Sequence, residues 1–145
     1  MILELVATFC TALFAGAAIY INLVEHPARV ECGTAVAVQQ WRPSYRRATV
    51  MQASLALVAL LSAVGAWFMG RGVAVLVAGL CIGIAIPFTL LVIFPTNKQL
   101  EDPALDVGSP RAAALLAKWN RLHAVRSVAS LVALGAFVLH LGAML

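Results

Sequence analysis

The chain is poor in charge. Only 11% of its 145 residues are Asp, Glu, Lys or Arg, where a soluble domain carries about a quarter. It has three cysteines, Cys10, Cys32 and Cys81, with no Cys-x-x-Cys pair, which excludes a disulfide scaffold and a thiolate metal cluster. Aromatic residues make up 8%. Polar runs long enough to stay disordered are missing. Hydrophobic residues instead reach 63%, with mean hydropathy +0.97. A soluble globular enzyme is excluded, and an integral membrane protein remains. The net charge of +4 would raise nucleic-acid binding in a soluble protein. Here the basic residues flank apolar spans, so membrane topology accounts for them and no nucleic acid is expected.

A spanning helix needs about 20 mostly apolar residues. Four segments qualify, over residues 2–24, 45–69, 73–94 and 122–145. Glu4 stands where the basic region of a signal peptide would lie, and the first apolar stretch is too long for one. Ser44 after Pro43 is read as the cap of the second helix. Gly70-Arg71-Gly72 reads as a tight turn, Pro87 as a kink, and Pro95 as the stop of the third helix. Ser109 is read as the cap of the fourth helix with Pro110 in its first turn, so that helix starts well before it enters the membrane. The fold class is therefore all-α. It is an up-down four-helix bundle in one transmembrane domain, with a short amphipathic loop segment after helix 1 and an extension of helix 4. Small residues at four-residue spacing, Thr8-Ala12-Gly16 and Gly79-Gly83, suit close helix packing within the bundle, with a homodimer seam as the alternative.

Nine of the ten basic residues lie in residues 25–47 and 95–126, and only Arg71 lies at the other end. Positive charge accumulates on the cytoplasmic side. Both long segments are therefore placed in the cytoplasm, with both termini outward, as in a bacterial inner-membrane protein.

The polar residues gather at that same end. Asn22, Glu25 and His26 close span one. Tyr45, Arg46, Arg47 and Gln52 open span two. Thr96 and Asn97 close span three, and Trp119, Asn120, His123 and Arg126 open span four. Asn22 and His26 share a helical face, as do Trp119, His123 and Arg126. Singly, the arginines read as lipid anchors, the aromatics as an interfacial belt and His26 as a helix-end cap. Together, at one depth on four helices, they read as a small-molecule site.

The same residues carry a family resemblance. Glu25-His26-Pro27, then Trp41 with Tyr45 and Arg46, then Pro95-Thr96-Asn97-Lys98-Gln99-Leu100, then Trp119 with His123 and Arg126, resemble the anthrone oxygenase-like family of small four-helix membrane proteins. That resemblance implies oxidation of an anthrone-type, small apolar aromatic substrate by dioxygen in the bilayer. Neutral histidine suits the base, with His123 first and His26 second. Arg126 and Arg46 would stabilise the enolate and Asn97 would hydrogen-bond to it. Trp41, Tyr45 and Trp119 would stack on the rings, with Asn22 and Gln52 completing the substrate site. No cofactor is expected. The alternatives are an iron, copper or haem protein with His26, His123 and Glu25 as ligands, and a non-catalytic accessory membrane subunit.

Overall fold

The computed structural model describes residues 1–143. Four long helices form an up-down bundle, α1 (Ile2–Glu31), α2 (Thr34–Phe68), α3 (Val73–Glu101) and α4 (Pro110–Gly142), each apolar and long enough to cross a membrane. The chain is an all-helical membrane bundle. Its outward surface agrees: Leu23, Leu91 and Leu139 are each more than 70% exposed. In water such a surface would aggregate, whereas in lipid it is the solvated face.

Two apolar layers fill the interior. One joins Ala7, Phe14, Ala59, Ala63, Ile82 and Phe137. The other, nearer the polar end, joins Ile21, Val38, Trp41, Ile93, Leu100 and Trp119. Alanine dominates the first, so the helices approach closely. A Cβ on Gly79 would collide with the Ala63 side chain, and one on Gly83 would meet Leu60 at 3.0 Å. This row packs inside the bundle as its spacing suggests. The Thr8-Ala12-Gly16 row does not: Ala12 and Gly16 are exposed, and a Cβ on Gly16 meets nothing within 4 Å. Small-residue spacing reports a smooth face without reporting which way it points.

Three boundaries differ from the sequence reading, and proline explains two of them. The segment after span one is helix, not loop: α1 runs through Pro27 and breaks only at Gly33, whose φ is 92°. A π-helical turn covers Ile21–Glu25, just before Pro27. A second covers Thr89–Ile93, just before Pro95. Proline has no N–H, and its ring crowds the carbonyl four residues earlier, here Leu23 and Leu91. Each lies within a wide π-turn, which makes the room. Pro95 therefore does not stop α3, which continues to Glu101. The third difference is α2, which starts at Thr34 with Gly33 as its cap and passes straight through Pro43, leaving Ser44 inside the helix.

Other local readings hold. Gly70 and Gly72 take positive φ of 79° and 86°, so the turn needs glycine there. Ser109 caps α4, accepting from the Ala112 N–H at 3.2 Å. Near Pro87 the α-helix is interrupted at Ile84. At the end opposite the polar cluster, Glu4 is 1% exposed and pairs with Arg71 at 3.2 Å, tying α1 to the turn between α2 and α3.

Candidate functional site

All four helices contribute to one recess near the second core layer. It is lined by residues including Arg29 from α1, Trp41, Tyr45 and Gln52 from α2, Asn97 from α3, and Trp119, His123 and Arg126 from α4. The π-turns set up this lining. Each shifts the helical phase just before the residues that follow it, Arg29 in one case and Asn97 in the other. Wide turns of this kind are frequent at functional sites.

His123 is 2% exposed and is held from behind by a polar relay. The Asn22 amide nitrogen faces the main-chain carbonyl of Asn120 at 3.1 Å and its Oδ1 at 2.7 Å. A main-chain carbonyl only accepts, so Asn22 Oδ1 must point the other way. There it accepts from His123 Nδ1 at 2.9 Å and from Ser127 Oγ. With Nδ1 donating, a neutral His123 ring keeps its lone pair on Nε2. Nε2 makes no hydrogen bond to any described residue.

Cations and aromatics surround this ring. Arg126 Nη2 donates to Gln52 Oε1 at 2.8 Å, and its guanidinium sits 5.3 Å from the Phe14 ring centroid. Arg29 is 5% exposed, pairs with Glu25, and lies 6.0 Å from the centroid of Trp119. Trp41 stacks flat on Tyr45 with centroids 4.8 Å apart, and Trp119 meets Trp41 edge-on at 5.7 Å. Trp119 also packs against His123 at 4.9 Å.

Several buried polar atoms here make no hydrogen bond to protein. They include both side-chain atoms of Asn97, Trp41 Nε1, Gln52 Nε2 and Arg126 Nε. Buried polar groups are nearly always paired, and the unpaired ones call for an account. Five such atoms around one recess mark a place built to meet a polar partner. The cavity is narrow, about 20 Å³, room for about one water molecule.

Some expected members lie elsewhere. Arg46 is exposed and pairs with Glu101 at 3.0 Å, so its guanidinium is not in the recess. Arg47 lines an outer groove with Tyr20 and Met51. His26 is buried and packs 5.7 Å from Trp119, but it lines a separate groove with Pro27 and Arg121. Asn22 acts from behind His123, outside the lining. The Glu25 carboxylate is taken up by Arg29, Gln40 and Ser44. Among the described residues no three His, Cys, Asp or Glu side chains are grouped to hold a metal. The ligand set of His26, His123 and Glu25 therefore does not fit a three-ligand metal site.

A family model described as Anthrone oxygenase matches residues 41–136, about two thirds of the chain. The chain belongs to the anthrone oxygenase family. Searches of curated proteins and of solved structures give no match. Within the anthrone oxygenase match lie Trp41, Tyr45, Gln52, Asn97, Trp119, His123 and Arg126, all of which line the recess. The Glu25-His26-Pro27 segment precedes it.

Arg29 also lines the recess, although in the sequence it stands only among the basic residues that set topology. Its signal was the Glu25 carboxylate one helical turn earlier, which suits an i, i+4 pair on a continuing helix. That spacing exists only because the helix continues past Pro27 to Glu31.

Proposed function

We propose that this protein is a cofactor-independent membrane oxygenase acting on an anthrone-type ketone, with its site at the cytoplasmic end of the bundle. The observation that carries the reading is His123: a buried imidazole oriented through Nδ1, its Nε2 directed by that hydrogen bond to act as base, beside two guanidinium groups. Family membership and the clustered unpaired polar atoms support it. The excess of Lys and Arg at this end supports the cytoplasmic placement.

An anthrone carries an acidic CH₂ opposite its carbonyl. His123 Nε2 takes one proton and leaves an enolate. Arg126 and Asn97 offer N–H donors to the enolate oxygen, and Arg29 adds positive charge. Trp41, Tyr45 and Trp119 supply the aromatic wall. The enolate carbon gives its electrons to dioxygen, forming a C–O bond, and the peroxide takes up a proton. The hydroperoxide then loses the second C–H proton and breaks its O–O bond. Carbon becomes carbonyl and the other oxygen leaves as water. Anthrone plus dioxygen thus gives anthraquinone plus water, with no further reductant. The recess is narrower than a tricyclic ring, so binding requires the Arg126–Gln52 hydrogen bond to part.

Isotopically labelled dioxygen tests the chemistry. The reading expects one labelled oxygen in each quinone formed by the protein and the other in water. Quinone formed without label would contradict it.

A further inference from the structure

A second cleft adjoins the recess. It lies between α2 and α3, has a volume of about 80 Å³, and is lined mainly by apolar groups such as Phe14, Ala53, Ile86 and Leu90. Thr49, Gln52 and Arg126 belong to both cavities. The hydrogen bond between Arg126 and Gln52 therefore stands on the boundary between them.

The helices separate here for a visible reason. Val73–Gly83 packs closely along α2, but contact thins beyond the break at Ile84, and the π-turn from Thr89 makes little contact with α2. The residues on the α2 side of the gap are small, Ala53 and Ala56. Thr49, Ala53 and Leu90 are exposed on the outer surface, so the cleft opens sideways, where the apolar helix faces meet lipid.

Its inner end carries unused donors. Gln52 is 2% exposed and its Nε2 makes no hydrogen bond, nor does Arg126 Nε. An apolar passage ending in two free N–H donors suits a ligand with an apolar body and a carbonyl oxygen at one edge. A lipid acyl chain would leave both donors unmet.

We propose that this cleft is the lateral entrance and outer subsite for a membrane-dissolved aromatic ketone. The ligand's carbonyl accepts from Gln52 and Arg126, displaces their mutual hydrogen bond, and joins the cleft to the recess. With that hydrogen bond displaced, the ligand's rings extend from the cleft into the joined recess, where they meet Trp41 and Trp119. This inference rests on the proposed reading of the recess as the reaction site.

The test needs no turnover. A Trp67→Phe protein in lipid nanodiscs leaves Trp41 and Trp119 as its indoles, and anthraquinone dissolved in the lipid is the contact quencher. The expected result is saturable quenching at low quinone mole fraction. Ala53→Phe narrows the cleft from α2 and Ile86→Phe narrows it from α3. Each should weaken the apparent affinity roughly tenfold or more. Leu57→Phe, on an exposed part of α2 outside the cleft, should leave it unchanged. Saturable quenching that persists in both narrowed variants would overturn the lateral entrance and leave the recess reading intact. No saturable quenching in the Trp67→Phe parent would overturn both.

Discussion

Asn22 Oδ1 accepts a hydrogen bond from His123 Nδ1 at 2.9 Å, joining α1 to α4 across 101 residues of sequence. The contact fixes the imidazole's orientation and assigns its free lone pair. It is positioning rather than chemistry, and the two roles separate by mutation. Asn22→Ala leaves His123 in place but unoriented, and leaves Asn120 and Ser127 short of a partner. We expect a loss of about 1–3 kcal/mol in stability. Turnover should fall by less than it does in His123→Ala, as read by oxygen uptake on folded protein. Equal losses in the two variants would contradict a positioning role.

The two arginines named from sequence should behave differently. Arg46 is exposed on its pair with Glu101, so Arg46→Ala should change stability by no more than about 1 kcal/mol and leave turnover near wild type. Arg126→Ala removes a donor shared by both cavities, and turnover should fall on the order of 100-fold. Oxygen uptake on matched preparations distinguishes them.

Arg29→Leu should be the most destabilising change at the site. It leaves the Glu25 carboxylate without its cation in a partly buried setting, at a cost on the order of 3 kcal/mol. Thermal unfolding in detergent should show this as a lower midpoint. The double change with Glu25→Gln should recover part of the loss, because no unpaired charge remains.

Packing in the apolar layer gives a sharper contrast between two glycines. Gly79→Ala places a methyl against Ala63 and should destabilise the bundle by about 1–3 kcal/mol. Gly16→Ala meets no neighbour and should be neutral or slightly stabilising, since alanine is the better helix former. Similar midpoints for the two variants would contradict the assignment of their faces.

The bundle was legible because lipid imposes one rule on every span: twenty apolar residues with their backbone bonds satisfied inside the helix. The recess was legible in part because Trp119, His123 and Arg126 follow plain helical spacing on α4, and all three do line it. Spacing failed where the helix is irregular. Pro27 and Pro95 look like stops, yet the π-turns before them carry the helix onward and bring Arg29 and Asn97 into the site. Nor could spacing choose between Arg46 and Arg47: both point outward, and that depends on how α2 rolls against its neighbours. A small-residue row such as Thr8-Ala12-Gly16 is ambiguous for the same reason.

The most direct test of the account is dioxygen consumption by purified protein in nanodiscs with an anthrone, set against the protein-free rate. The account predicts uptake above that rate, one dioxygen per quinone formed. It also predicts a loss on the order of 100-fold in folded His123→Ala. Uptake no faster than without protein, or a His123→Ala protein as fast as wild type, would contradict it.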